Sequence, residues 1–449
     1  MKPGDCFFAV PGTQSDGHDY IPIAVEKGAA AIVCERMPAD AAEGVAYVLV
    51  GDSAGAMADM AAAFYDYPSR ELKLVGITGT NGKTTTATLL YDLVRAMGYK
   101  AGLISTVVYK IDGREVEATH TTPDSIRLNA MMREMADAGC AYCFMECSSH
   151  AIVQERTRGL DFAGGIFSNI THDHLDYHKT FAEYIRAKKL FFDGLPKGAF
   201  ALTNADDRNG RVMVQNTAAA VSAYSLRAMA DFRCKIVEMH LDGMLLRIDG
   251  QELWVGLLGR FNAYNLLAVY GAAVLLGLDR GEVLRVLSML HAVSGRFEKI
   301  RAANGTTAIV DYAHTPDALE NVIQTIEEIR TPGQQLIVGC GGDRDRTKRP
   351  EMAAIAVKYA TTAVFTSDNP RHESPEAILD DMVAGLEPGA RYLRIADRAE
   401  AIRTAVMLSR PGDIILVAGK GHETYQIVGD VKHPFDDREE IKKRFALLN

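Results

Sequence analysis

Apolar and polar positions alternate so that short buried strands are each followed by an amphipathic helix. The pattern is clearest after residue 298, with strands predicted at Thr307–Asp311, Gln335–Gly339, Ala363–Thr366, Tyr392–Ile395 and Asp413–Ala418. Helices are predicted at Pro316–Ile329, Arg349–Tyr359, Pro375–Leu386, Arg398–Leu408 and Asp436–Leu447. This alternation is typical of a doubly wound, mostly parallel sheet with helices on both faces. The predicted fold class is therefore α/β.

The 449 residues should form two to four domains, and the pattern indicates three. Residues 1–71 are predicted to form a small α/β domain, with a strand at Asp5–Val10, a helix at Tyr20–Lys27 and a second strand at Ala30–Cys34. Residues 72–297 are predicted to form a central P-loop ATPase-like domain. Residues 298–449 are predicted to form a C-terminal domain with a Rossmann-like doubly wound sheet.

The central domain opens with a predicted buried strand, Leu72–Thr78, and a helix that begins at Thr84. Between them lies a turn of small residues. Its glycines allow backbone N–H groups to approach a phosphate, and the helix N-terminus adds partial positive charge. Lys83 can reach the terminal phosphates, and the Thr84 hydroxyl can ligate magnesium. The glycine spacing differs from the general pattern, so we predict a variant ATP loop made of Gly79, Thr80, Asn81, Gly82, Lys83, Thr84 and Thr85.

Charge and composition exclude several classes of protein. The net charge of −9 argues against non-specific nucleic-acid binding. The longest apolar run, near Leu266–Leu278, is too short to span a bilayer, and the N-terminus does not resemble a signal peptide. The odd count of 7 cysteines implies no disulfide framework. We therefore expect a cytoplasmic protein with no nucleic-acid or membrane partner.

Two stretches of the central domain are candidates for metal binding. Glu146 ends a predicted strand near the phosphate loop, where a carboxylate suits magnesium. Three histidines and two aspartates lie within His172–His178, which favours a metal site over a solvated polar loop. A hydrolase based on Ser149 and His150 is disfavoured, because adjacent residues cannot simply act as nucleophile and base.

Polar clusters follow four strands of the C-terminal domain, and parallel sheets bind ligands at this edge. Their arginines and carboxylates suit a zwitterion such as an amino acid. Arginine binds a carboxylate bidentately, and Asp368 and Glu423 could hold ammonium groups. The clusters are Asp311–His314, Gly341–Arg346, Ser367–Arg371 and Gly419–Glu423.

The loop Gly-Thr-Asn-Gly-Lys-Thr-Thr resembles the ATP loop of the Mur ligase family, the ATP-dependent amide-forming enzymes of peptidoglycan precursor synthesis. Later motifs extend the resemblance over nearly the whole chain. It implies that Glu146 and His174 bind Mg²⁺, that Lys188 is a carbamate holding a second Mg²⁺, and that these residues act with Lys83 in catalysis. It also implies ATP contacts at Asn265, Arg296, Asp311 and His314, and contacts to the UDP-linked substrate at Thr121, Thr122, Ser148, Gln154 and Arg156.

Asp368-Asn369-Pro370-Arg371 resembles the signature of family members that add meso-diaminopimelate. Lysine-adding relatives usually lack the arginine, and Arg371 would supply the counter-charge for the second carboxylate. The implied reaction joins this amino acid to UDP-N-acetylmuramoyl-L-alanyl-D-glutamate through an acyl phosphate, in a monomeric enzyme. The implied contacts to the amino acid are Arg344, Asp368, Asn369, Pro370, Arg371, Gly419 and Glu423.

Other functions remain open at this point. They are a lysine-adding ligase of the same family, a ligase like folylpolyglutamate synthase, and a nucleotide-binding sensor without turnover. The stretch Pro11–His18 resembles part of the family's UDP-sugar-binding domain. Relatives usually carry an earlier segment with Asp-Ser-Arg that contacts the uridine nucleotide. Because this chain starts after that segment, we expect either a misplaced start codon or a shortened domain.

Overall fold

A computed structural model describes residues 1–12, 15–171, 175–329, 334–340 and 345–448, without the side chains of residues 175–176 and 334–340. Its strands form three sheets in succession along the chain, plus a separate two-stranded hairpin. Helices accompany each of the three sheets, so the α/β class is confirmed. Two predicted site residues, His174 and Arg344, lie outside the described residues.

The N-terminal unit contains a three-stranded parallel sheet in the order β1-β2-β3. Its first strand is shorter than the predicted Asp5–Val10. A 3₁₀ turn at Gly17–Tyr20 precedes the first helix, which starts one residue later than predicted. The elements are β1 (Cys6–Phe8), α1 (Ile21–Glu26), β2 (Ala31–Cys34), β3 (Ala46–Leu49) and α2 (Ser53–Phe64).

The central unit is built on an eleven-stranded sheet. Its strands are β4 (Lys73–Thr78), β5 (Ala101–Ile104), β6 (Val108–Ile111), β7 (Arg114–Glu117), β8 (Tyr142–Glu146), β9 (Phe162–Phe167), β10 (Phe200–Asn204), β11 (Ala220–Ser225), β12 (Phe232–His240), β13 (Gly243–Ile248) and β14 (Gln251–Val255). Its helices are α3 (Lys83–Ala96), α4 (Ser125–Asp137), α5 (Ser149–Val153), α6 (Leu175–His178), α7 (Phe181–Asp193), α8 (Gly210–Met213), α9 (Arg260–Leu275) and α10 (Arg280–Leu287).

The order of these strands is β14-β13-β12-β11-β10-β9-β4-β8-β5-β6-β7. Strand β4 lies inside the parallel part, between β9 and β8. Antiparallel strands extend the sheet at both ends, and the alternation pattern does not predict them. Because β4, β8 and β9 are parallel neighbours, the residues that follow them meet at one edge of the sheet.

The C-terminal unit has a six-stranded sheet in which β15 alone runs antiparallel to its neighbour. Its strands are β15 (Glu298–Arg301), β16 (Thr307–Asp311), β17 (Gln334–Cys340), β18 (Thr362–Ser367), β19 (Tyr392–Arg394) and β20 (Ile414–Ala418), followed by the hairpin β21 (Tyr425–Val428) and β22 (Val431–Pro434). Its helices are α11 (Pro316–Ile329), α12 (Lys348–Tyr359), α13 (Pro375–Val383), α14 (Arg398–Leu408) and α15 (Asp437–Phe445). The strand order β15-β16-β20-β17-β18-β19 confirms the predicted doubly wound sheet.

One apolar core joins the central and C-terminal units. It runs from Val75 and Leu90 of the central sheet and α3, through Phe297, to Ile309 and Leu319 of the C-terminal unit. This packing places the loops after β4, β8 and β9 opposite the loops after β16, β18 and β20. Among the described residues, no helix combines the length and the apolar character that a membrane crossing needs.

Candidate active site

The phosphate loop occupies the turn between β4 and α3. Gly79 and Gly82 have φ angles of +150° and +86°, which glycine adopts without the steric cost that a Cβ imposes. A Cβ would also lie 1.9 Å from Ser168 Oγ at Gly79, and 2.5 Å from Asn265 Oδ1 at Gly82. Lys83 Nζ donates to the carbonyl oxygens of Gly79 and Thr80 at 2.9 and 2.8 Å. The loop therefore has the strand–glycine turn–helix form that the sequence predicts.

Residues after β9 hold the loop in place. The backbone N–H of Thr80 donates to the Asn169 carbonyl at 2.8 Å, and that of Asn81 donates to Asn169 Oδ1 at 2.9 Å. Ser168 Oγ donates to the Asn81 carbonyl at 2.6 Å. Ser168 and Asn169 directly follow β9 and are not among the predicted site residues.

A cavity of about 980 Å³ lies between the central and C-terminal units. Of the predicted site residues that the structure describes, five do not line it, namely Gly79, Thr122, Gln154, Arg156 and Pro370. The predicted residues that do line it are Thr80, Asn81, Gly82, Lys83, Thr84, Thr85, Thr121, Glu146, Ser148, Lys188, Asn265, Arg296, Asp311, His314, Asp368, Asn369, Arg371, Gly419 and Glu423.

The candidate metal site is built around Glu146, whose carboxylate is 1% exposed and faces the cavity. Oε1 accepts a 2.8 Å hydrogen bond from the backbone N–H of Thr106, and Oε2 accepts one from its hydroxyl at 3.2 Å. Among the described residues, no basic side chain forms an ion pair with Glu146. A buried carboxylate of this kind fits a hard cation such as magnesium.

Thr84 and Lys188 line the same cavity. Thr84 Oγ1 accepts a 3.1 Å hydrogen bond from Arg296 Nη2. Lys188 is 1% exposed, and its Nζ donates to the Gly79 carbonyl at 2.7 Å. Within the described ranges, no three His, Cys, Asp or Glu side chains lie close enough together to hold a metal ion. The candidate metal ligands among these residues are therefore Thr84, Glu146 and, if it is a carbamate, Lys188.

Four of the five predicted contacts to the UDP-linked substrate, Thr122, Ser148, Gln154 and Arg156, form one connected cluster. Thr122 Oγ1 donates to the Glu146 carbonyl at 2.7 Å and accepts from the Ser148 N–H at 3.1 Å. Arg156 donates to the Thr122 carbonyl and to Gln154 Oε1, each at 2.6 Å through its Nη atoms. Burial lowers the pKa of the Arg156 guanidinium from its ordinary value. Of the five predicted contacts, Thr121 and Ser148 line the cavity, and Thr122, Gln154 and Arg156 do not.

Residues at the junction with the C-terminal unit surround Asp311. Its Oδ2 accepts a 2.7 Å hydrogen bond from the N–H of Phe297. Burial raises the pKa of Asp311 to about 6, although the nearby Arg296 opposes the shift. The Arg296 guanidinium lies 4.6 Å from the centre of the Tyr312 ring. Asn265 lies at the phosphate loop rather than at this junction, and its Nδ2 donates to Asn262 Oδ1 at 3.2 Å.

Lys420 belongs to the predicted amino-acid cluster but is not one of its predicted contact residues. Lys420 is 0% exposed, and its Nζ lies 2.8 Å from Glu423 Oε2, 3.1 Å from Asn369 Oδ1 and 3.9 Å from Asp368 Oδ1. Arg371 adopts a left-handed backbone conformation with φ +51°. Its N–H donates to Ile427 and its carbonyl accepts from Gly429, at 3.0 and 2.8 Å. The β21–β22 hairpin thus anchors Arg371.

Asp317 and Asp206 are among the acidic residues on the cavity wall that are not predicted site residues. Asp317 Oδ2 accepts hydrogen bonds from Asn81 Nδ2 at 2.8 Å and from Thr171 Oγ1 at 3.2 Å. Asp206 Oδ2 accepts from the Tyr264 hydroxyl at 2.8 Å. In the sequence, Asp317 is typical of a helix N-terminus. Only its contact with the phosphate loop in the structure identifies it as a residue of the candidate site.

This fold and this cavity define a nucleotide-binding α/β protein in which a phosphate loop and a zwitterion-type polar cluster face each other. Three family models match the chain: "Mur ligase family, catalytic domain" at residues 1–65, "Mur ligase middle domain" at 77–273, and "Mur ligase, glutamate ligase domain" at 295–421. The chain belongs to the Mur ligase family.

Curated relatives and solved structures agree with this assignment. UDP-N-acetylmuramoyl-L-alanyl-D-glutamate–2,6-diaminopimelate ligase of Bacteroides fragilis is 56% identical over 451 residues, covering 100% of this chain and 93% of that protein. The enzyme of the same name from Geobacillus thermodenitrificans is 45% identical, covering 98% and 91%. A solved structure of a ligase with this name has a TM-score of 0.71 at 31% identity, covering 100% of this chain and 93% of its own. Folylpolyglutamate synthase of Mycobacterium tuberculosis, with a TM-score of 0.67 at 18% identity and coverage of 81% and 91%, shares the fold.

Proposed function

We propose that this chain is an ATP-dependent amide ligase that adds meso-diaminopimelate to UDP-N-acetylmuramoyl-L-alanyl-D-glutamate. The observation that carries the proposal is the shared cavity, because Lys83 and Thr84 of the phosphate loop and Asp368 and Arg371 of the amino-acid cluster line the same space. Relatives that match the whole chain are named for this reaction. A cytoplasmic location and a monomeric state remain predictions.

In the proposed reaction, ATP phosphorylates the free carboxylate of the D-glutamate, an amine of diaminopimelate attacks the acyl phosphate, and phosphate leaves. Lys83 turns from the carbonyls of Gly79 and Thr80 toward the transferred phosphoryl group. Its charge and the amides at the N-terminus of α3 stabilise the negative charge that develops there. Arg296, which already contacts Thr84 from the C-terminal side, places a second cation at this position.

Magnesium, when bound, neutralises charge on the transferred phosphoryl group. Glu146 and the Thr84 hydroxyl would hold one ion, together with His174. A neutral Lys188 amine can take up carbon dioxide to give a carbamate. The carbamate is an anion and would bind a second magnesium ion. This modification would be detected as the mass of one carbon dioxide on the peptide that contains Lys188, under conditions that preserve carbamates.

The remaining site residues are proposed in two groups. The group proposed to bind the UDP-linked substrate is Thr121, Thr122, Ser148, Gln154 and Arg156. Thr121 and Ser148 line the cavity with Glu146, and hydrogen bonds join Ser148 to Thr122, Arg156 and Gln154. Asn265, Arg296, Asp311 and His314 would bind ATP with the phosphate loop, since they line the cavity around that loop.

Arg371 is proposed to select meso-diaminopimelate over lysine, because diaminopimelate carries a second carboxylate and a guanidinium binds carboxylates bidentately. The hairpin contacts of Arg371 support this role, since they hold its backbone in one conformation. Arg344 would bind the same amino acid, together with Asp368, Asn369, Pro370, Gly419 and Glu423.

The test measures phosphate release from ATP with UDP-N-acetylmuramoyl-L-alanyl-D-glutamate and meso-diaminopimelate, L-lysine or no amino acid. We expect release with diaminopimelate alone. Arg371→Met should raise KM for diaminopimelate by about 10- to 100-fold. The matched control is Arg403→Met, which removes an exposed arginine on α14. Equal phosphate release with lysine would be consistent with a ligase but would reject the proposed specificity for diaminopimelate. No phosphate release with either amino acid would reject the ligase function.

A further inference from the structure

Lys420 is a fully buried cation in the wall of the proposed amino-acid site. It follows β20, where Gly419 and Glu423 line the cavity. Burial of an ammonium group is costly unless anions and hydrogen-bond acceptors surround it. Here Glu423 and Asn369 provide those acceptors, and Asp368 lies 3.9 Å away.

The hydrogen bonds of this cluster leave specific oxygens for a ligand. Glu423 Oε2 accepts from both Lys420 Nζ and Asn369 Nδ2, each at 2.8 Å. Asn369 Oδ1 accepts from Lys420 Nζ and from the N–H of Ile427 at 2.9 Å. Both lone pairs of Asn369 Oδ1 are therefore used by protein donors, while one hydrogen of its Nδ2 is left for a ligand. Among the described residues, no donor reaches Glu423 Oε1 or forms a hydrogen bond with the Asp368 carboxylate.

The charges around these oxygens nearly cancel. The Arg398–Asp437 ion pair lies beneath the cluster, and both of its side chains are 0% exposed. That pair is neutral as a unit, so Asp368, Glu423 and Lys420 together leave one negative charge near the two available acceptors, while the positive charge of Arg371 on the same cavity wall is assigned to the second carboxylate. One net negative charge matches one ammonium group of an amino acid.

We propose that Lys420 is a positioning residue of the amino-acid site. It fixes Glu423 and Asn369 so that Glu423 Oε1 and the Asp368 carboxylate receive a single ammonium group of the substrate. The inference rests on the proposed function and deepens it, because it names the residue that orients the two carboxylates expected to hold the ammonium group, while Arg371 serves the second carboxylate.

A role in positioning predicts a pH effect that a purely structural role does not. Burial raises the pKa of Asp368, while Arg398 and Lys420 lower it. Loss of the Lys420 charge would raise the pKa of Asp368 further, so that a larger fraction is protonated as the pH falls. The charged and titratable groups that face Asp368 and Glu423 are Lys420, Arg398, Asp437, Tyr312 and Tyr425. Arg371 lies on the same cavity wall, near Tyr425.

The first experiment compares Lys420→Met with wild type and with Lys442→Met, which changes an exposed lysine on α15. In Lys420→Met we expect KM for diaminopimelate to rise by about 10- to 100-fold, while KM for ATP stays within about threefold. Lys420→Gln, which keeps a donor without the charge, should show a KM for diaminopimelate that rises more steeply than in wild type as the pH falls from 8 to 6.

A double-mutant cycle with Glu423→Gln tests whether Lys420 acts through its partner, because residues in one network give non-additive effects. We expect Lys420→Gln to change KM by less than about threefold in the Glu423→Gln background. Additive effects would overturn the proposal, as would equal KM values for Lys420→Met and Lys442→Met. Failure of both Lys420 variants to fold would assign this residue to the core and also overturn it. An inactive wild type would instead reject the proposed function itself.

Discussion

Asn81 Nδ2 in the phosphate loop donates a 2.8 Å hydrogen bond to Asp317 Oδ2 at the N-terminal end of α11, 236 positions along the chain. The same oxygen accepts from Thr171. Burial raises the pKa of the Asp317 carboxyl group. The C-terminal unit therefore contacts the loop directly, through a carboxylate placed close to where ATP phosphates are proposed to bind.

Asp317→Asn should reduce kcat/KM for ATP by about tenfold. The substitution keeps the shape of the side chain but replaces a charged acceptor, and a hydrogen bond to a charged group contributes about 1.5–3 kcal/mol. Steady-state kinetics with ATP as the varied substrate measure the effect. Glu320→Gln, on the same helix and bonded to Tyr359, serves as the control. Identical kinetics for the two variants would show that the loop does not depend on Asp317.

Gly82→Ala should raise KM for ATP by at least about tenfold, because its Cβ would lie 2.5 Å from Asn265 Oδ1 at a φ of +86°. Gly98→Ala is the matched control, since Gly98 follows the same helix with φ +89° and has open space around it. Both substitutions carry the left-handed backbone cost of about 1–2 kcal/mol. Only Gly82→Ala should impair ATP binding in a nucleotide titration, so a similar loss in Gly98→Ala would contradict the argument from the clash.

Arg349→Met should lower the free energy of unfolding by about 1.5–3 kcal/mol, the usual contribution of hydrogen bonds to charged groups. The Arg349 side chain is 1% exposed and bonds Glu373 and Asp381 at 2.8 and 2.6 Å. Arg346→Met removes an exposed ion-pair partner of the same Asp381. This substitution should lower the free energy of unfolding by less than about 1 kcal/mol. Urea unfolding of both variants gives the comparison, and equal losses would be inconsistent with the burial argument.

Asp311 should make stability depend on pH. Its folded pKa of about 6 exceeds the ordinary aspartate value of 3.8, so between these values the folded chain binds more protons than the unfolded chain. The contribution of Asp311 to the free energy of unfolding therefore falls as the pH rises from about 4 to about 6. The free energy of unfolding of wild type relative to Asp311→Asn should drop by about 1–2 kcal/mol between pH 5 and 7.5. Urea unfolding at both pH values measures it, and a constant difference would indicate an ordinary pKa.

Much of the fold was predictable because it follows from local periodicity. The predicted strand Thr307–Asp311 and helices Pro316–Ile329 and Arg398–Leu408 have the observed bounds. The helix predicted to end at Leu386 stops at Val383 instead. The antiparallel extensions of the central sheet at β6–β7 and β12–β14 were not predicted, because pairing at a sheet edge depends on partners that the local pattern does not name.

By itself, the sequence determined the phosphate loop. Apolar residues before Gly79, glycines at the turn and an amphipathic helix after Lys83 are local features that act within a few residues. It also determined that polar clusters follow Asp311, Ser367 and Ala418, since each cluster ends its own strand. The roles of individual residues in those clusters remain predictions.

Only the tertiary structure decided which side chains face one another. The order of the parallel strands places Lys420 between Asp368 and Glu423, and the packing of the two units brings Asp317 to Asn81. The sequence shows a lysine after a strand and an aspartate at a helix start, which usually lie in solvent. In the structure both side chains are largely buried, and a buried charge must have a partner. Chain segments distant in sequence supply that partner.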